Sequence, residues 1–224
     1  MKFLKPFIQW STTILVPLAL ISLGIRIVLT HTFLNVEYRT PNFPADSYGF
    51  NLADRLKWAG YSWDYLLNDQ GISYLGDLTF SDGKPLFNER EVSHMQDVKH
   101  VVKPALQVGL LAWIGLAILW VLAIYRKMQD VFYRGLRWGG WVMTSLLGVV
   151  GVFAIASFWN FFEVFHSLFF KGDSWLFLYS DTLIRLFPLR FWEDTFGFVG
   201  VFALAGGLGL ALGLKPGKKM GVKK

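Results

Sequence analysis

Four stretches of this chain are apolar for about twenty residues each: Phe7–Leu29, Ala105–Tyr125, Trp138–Ser157 and Phe196–Leu214. A helix rises 1.5 Å per residue, so each stretch matches a hydrocarbon core of about 30 Å. The rest of the composition agrees. Apolar residues make up 54% and charged residues 17% of the chain, below the roughly 25% charge of soluble domains. The 10 Trp and 21 Phe are the aromatic load expected of spans with belts at the water interface. The expected fold is an all-α integral membrane protein with four transmembrane helices. The first run follows Lys2 and Lys5 but is longer than a secretory h-region and lacks a small-residue cleavage site, so it reads as an uncleaved span.

Charge placement orients the spans. The N-terminus, the Arg126–Arg137 loop and the tail carry eleven Lys and Arg against Asp130 alone, whereas His31–Lys103 holds seven basic and ten acidic residues. By the positive-inside rule both termini are cytoplasmic and both larger connections face outward. The net charge of +6 is therefore topological, and no basic face on a soluble module points to nucleic acid. The expected division is an N-terminal span (1–30), an extracytoplasmic and mostly helical segment capping the membrane (31–103), and a region of three further spans (104–224). That last region contains an outward interfacial segment (158–195) and a basic cytoplasmic tail (215–224).

Within 31–103, Leu52, Leu56, Ala59, Trp63 and Leu67 recur at helical spacing, and a short hairpin is expected around Ser81-Asp82-Gly83. Asn88 with Glu91 three residues on reads as a capping box opening a helix that runs to about Val102, with a break or fresh start at Lys103-Pro104.

The ionisable groups gather in the two outward segments. Arg90, His94, Asp97 and Val98 share one helical face, so Asp97 can orient the His94 ring. His166 stands among Phe161, Phe162, Phe165, Phe169 and Phe170, a setting that favours the neutral imidazole a general base needs. His31 and His100 read as structural. Two Glu-x-x-His pairs, Glu91/His94 and Glu163/His166, have the spacing of carboxylate-bridged metal bundles, but further glutamates are missing from the spans. The chain has no cysteine, so thiol nucleophiles and thiolate metal sites are excluded. No cofactor is expected. A non-catalytic lipid- or partner-binding membrane protein and a metal or haem redox protein remain as alternatives on the residues alone.

The stretches FNEREVSHMQDVK, YGFNLADRLKWAGYSWDYL, FHSLFFKGDSWLF and DTLIRLFP resemble the bacterial lipoprotein intramolecular transacylases over about Tyr48 to Trp192. The resemblance implies a bacterial cytoplasmic-membrane enzyme with its site at the outer face. It implies lipoproteins bearing a diacylglyceryl-cysteine as partners, alongside membrane lipid. It also implies transfer of the sn-2 acyl chain to the cysteine α-amine, leaving a lyso-form lipoprotein. His94 and His166 fall on the family's functional histidines. Arg90 and Arg185 are candidates for the oxyanion or a headgroup, and Glu91, Asp181 and Trp175 lie in the same motifs as supporting or substrate-binding residues. The oligomeric state is not set by the sequence.

Overall fold

The computed structural model describes residues 2–214, and the basic tail 215–224 lies outside the described residues. The described chain is all-helical: α1 (Leu4–Val28), α2 (His31–Glu37), α3 (Leu52–Leu67), α4 (Ser73–Gly76), α5 (Glu89–Tyr125), α6 (Gln129–Ala156), α7 (Phe158–Phe169), α8 (Thr182–Leu186) and α9 (Leu189–Gly213). Among the described residues four helices, α1, α5, α6 and α9, are long and apolar enough to cross a membrane.

At 37 residues α5 is about 55 Å long, nearly twice a hydrocarbon core. Its charged residues end at Lys103, so the spanning part is the apolar run from Ala105. The expected break at Lys103-Pro104 is absent, and Pro104 lies inside the helix. Its ring sits on an exposed face, where the His100 carbonyl that loses its N–H partner is not sealed in a core. α3 occupies the expected Leu52–Leu67 stretch and is opened by a capping box between Asn51 and Asp54. The hairpin near Gly83 is a single antiparallel bridge, Thr79 with Pro85. Gly83 carries φ +83°, which a residue with a side chain rarely adopts.

The chain divides into two compact units. One comprises residues up to Gly24, Gln107–Val152 and the chain from Val199. Small residues let its helices approach closely. A Cβ on Gly140 would stand 2.4 Å from the Gly207 carbonyl oxygen, and one on Gly139 would meet Val16 at 2.6 Å. Lipid is as apolar as leucine, so such backbone approach, rather than exclusion of water, holds spans together.

The other unit comprises Ile25–Leu106 and Phe153–Phe198. Its centre is aromatic. Trp63 stacks on Phe187 at 4.8 Å and donates from its indole N–H to the Val28 carbonyl at 2.8 Å. Tyr38 donates to the Leu186 carbonyl at 2.9 Å.

Candidate active site

The N-terminal turn of α5 is locked before it presents any chemistry. Asn88 Oδ1 accepts from Glu91 N at 3.0 Å, and Glu91 Oε2 accepts from Asn88 N at 2.8 Å, which is the expected reciprocal cap. The second Glu91 oxygen accepts from the backbone N–H of Leu183 in α8 at 2.6 Å. Glu91 is 1% exposed, and burial pushes its carboxyl up to about 7 despite the two N–H donors. Its role is a joint between α5 and α8.

One turn further on, His94 is buried, as is His166 of α7. The two rings face each other nearly in parallel, with centroids 6.4 Å apart and planes inclined by 21°. His166 Nδ1 is 2.7 Å from the Phe162 carbonyl one turn earlier in its own helix. A carbonyl can only accept, so Nδ1 carries the proton and Nε2 keeps its lone pair. His94 Nδ1 is buried with no hydrogen-bond partner among the described residues. Burial, with a smaller push from the neighbouring His166, lowers His94 to about 4. Burial also lowers His166, while the bond to Phe162 opposes that shift. Both imidazoles are therefore neutral near pH 7.

Aromatic rings wall the pair. Phe162 and Trp175 stand 4.0 and 4.6 Å from the His166 ring, and Phe170 and Phe177 stand 5.0 and 5.3 Å from that of His94. Phe162, Phe170 and Trp175 form one buried cluster. Trp175 thus takes a supporting place beside His166, whereas Phe177 comes from a loop in which no periodicity marks it.

Other expected roles are redrawn. Asp97 is exposed and makes no hydrogen bond to His94, because the buried ring turns towards α7 and away from water. Arg185 pairs with Asp46, Nη2 to Oδ2 at 3.0 Å, and lies 3.6 Å over the Phe50 ring, so its charge is already matched. Arg90 donates to the Asp173 carbonyl and lies 5.9 Å from the Phe177 centroid, holding the 171–177 loop against His94. Asp181 accepts from Leu178 N at 2.8 Å and from the Asn88 side chain at 3.3 Å, tying the end of that loop to the α5 cap. His31 pairs with Asp64 at the surface, and His100 is exposed. Among the described residues no group of three or more His, Asp or Glu is placed to hold a metal ion.

Helices long enough to span a bilayer define a membrane protein, and its two buried imidazoles, held in an aromatic cage, are groups that can accept and donate protons. The family model for the lipoprotein intramolecular transacylase Lit matches residues 10–192, and the chain belongs to that family. An uncharacterized protein of Aquifex aeolicus (strain VF5) is 32% identical over 209 residues, 92% of each chain. The in meso structure of the membrane integral lipoprotein intramolecular transacylase Lit from Bacillus cereus superposes with a TM-score of 0.72 at 17% identity, covering 94% of both chains. A variant of that protein with a histidine replaced by arginine gives a TM-score of 0.70 at 15% identity, covering 93% of this chain and 89% of its own. At such identities the superpositions establish the shared fold.

Proposed function

We propose that this protein is a lipoprotein intramolecular transacylase in which His94 and His166 exchange the protons of an ester-to-amide acyl transfer. The substrate is a diacylglyceryl-cysteine lipoprotein. The cysteine α-amine attacks the sn-2 ester carbonyl, the C–N bond forms, the C–O bond to glycerol breaks, and the product is a lyso-form lipoprotein. The observation that carries this reading is the pair of buried rings 6.4 Å apart, one with its Nδ1 proton fixed by the Phe162 carbonyl.

His166 Nε2 is the base. It takes a proton from the attacking amine, and the Phe162 carbonyl steadies the imidazolium that forms. Mutual repulsion keeps the two rings from being charged together, so the pair takes up only one proton beyond its two neutral rings at a time. That proton is relayed through His94 to the departing glycerol oxygen. Donor and acceptor belong to one molecule, so proximity supplies much of the rate and no acyl-enzyme is needed. The dry aromatic surround strengthens each electrostatic contact with the tetrahedral intermediate. The charge asymmetry of the connections supports cytoplasmic termini and an outward-facing site in a bacterial cytoplasmic membrane.

The test is mass spectrometry of a lipoprotein's N-terminal peptide from cells expressing wild-type, His94→Ala or His166→Ala protein. Each variant is expected to lose lyso-form product by about a hundredfold or more at equal membrane abundance. Wild-type yield from either one rejects the assignment.

A further inference from the structure

A second concave site lies in the same unit as the histidines. It is a cleft of about 530 Å³ lined by Tyr48, Phe50, Asp54, Trp58, Thr79 and Arg185, among others. One wall is the short hairpin. Leu86 N donates to the Leu78 carbonyl and Phe80 N to the Lys84 carbonyl, both at 2.8 Å. Thr79 and Pro85 are therefore the non-hydrogen-bonded pair of this antiparallel bridge, and the Thr79 N–H and C=O point away from the partner strand. Thr79 is exposed, and neither backbone group has a hydrogen-bond partner among the described residues. The rest of the lining is largely aromatic, with Tyr48, Phe50 and Trp58, and the Phe50 ring packs 6.1 Å from that of Phe80 on the hairpin at an angle of 29°.

We propose that this cleft docks the polypeptide of the lipoprotein, in extended conformation, by pairing its backbone with the free edge at Thr79. The identity of that peptide rests on the transacylase reading. An unpaired N–H and C=O on one strand edge match the acceptor and donor of an extended chain, and the aromatic wall takes alternate side chains. A lipid headgroup fits less well. The Arg185 charge is already neutralised by Asp46, and Asp54 and Lys57 place both signs on the lining. Contact through backbone groups gives recognition with little dependence on sequence, which suits an enzyme whose reacting atoms all lie in the lipidated residue.

The chain contains no cysteine, so one introduced thiol is unique. Ser81, on the lining, is replaced by Cys, and the full-length protein in detergent is offered a synthetic diacylglyceryl-cysteine peptide carrying an activated disulfide at successive positions. Trapping at every second position, absent when the thiol is placed instead at exposed Ser73, is the expected result. Trapping at no position, or equally at all, overturns the proposal. In a second arm, N-methylation of the peptide at a paired position raises KM about tenfold without changing kcat in the wild-type protein, the loss of one hydrogen bond made equally in ground and transition states. An unchanged KM across the whole N-methyl series also overturns it. Trapping needs no turnover. Capture without lyso-form product keeps the docking site while removing the reaction, and product without capture does the reverse.

Discussion

At the scale of single residues, the buried histidines make the molecule acid-sensitive. His94 sits at about 4 against an ordinary 6.5, so between those values the unfolded chain binds the proton and the folded one does not. Stability therefore falls as pH drops through this window, by on the order of 3 kcal/mol for His94 once the pH is below both values. Glu91 acts in the opposite sense. Its carboxyl is raised from 4.5 to about 7, so its contribution is full below 4.5 and is lost as pH rises through 7. His94→Ala is expected to flatten the loss of Tm between pH 6.5 and 4, measured by thermal unfolding in detergent. In the wild type, the acid limb of kcat/KM is expected below pH 6.5, because burial lowers both imidazoles. The two histidines were legible as residues, since motif and apolar context marked them. The loss of Asp97 as a partner was not. Spacing sets which side chains share a face, but it does not say which of them the neighbouring helix will desolvate.

At the scale of elements, α5, α7 and α8 are joined by few contacts, each placed with precision. Glu91 is the clearest. Its removal leaves two backbone N–H groups, those of Asn88 and Leu183, without acceptors. Glu91→Ala is expected to cost about 2 kcal/mol or more and to loosen α8, read as a lower Tm and faster amide exchange at Leu183. The close helix approaches make a second prediction. Gly140→Val puts side-chain carbon against the backbone of Gly207 and Ala211 and is expected to cost about 1–3 kcal/mol. Gly148→Ala meets nothing within 4 Å and should be neutral or raise stability by up to about 1 kcal/mol. Paired thermal melts of the two variants check both expectations. Local features were readable at this scale: the Asn88/Glu91 cap and the Leu52–Leu67 period need only neighbours in sequence. The Asp46–Arg185 pair and the Leu183 bond to Glu91 depend on packing between distant segments, which no local pattern encodes, and α5 runs on through Pro104 because that residue lies on an exposed face, which the sequence alone does not tell.

At the scale of the whole molecule, the proposed orientation is open to a direct check that the cysteine-free background makes simple. A thiol at Ser81 should react with an impermeant maleimide in intact cells, and a thiol at Lys127 only after the membrane is opened. The reverse pattern overturns the orientation. The spans themselves were legible from hydropathy because the solvent around them imposes a length and a composition. The unit that holds the histidines joins the two connections that charge placement puts on one face, and it is assembled from Ile25–Leu106 and Phe153–Phe198 with other spans between them. That discontinuity has a consequence for biogenesis. His94 emerges 72 residues before His166, so at about 5–20 residues per second the first half of the site waits roughly 4 to 14 s for the second. During that interval the Glu91 carboxylate lacks the Leu183 donor, and His94 lacks both Phe170 and Phe177. The nascent chain is thus committed to the bilayer well before the two imidazoles can meet, and a ribosome stalled near Ser157 would leave an inserted protein without the proposed reaction centre.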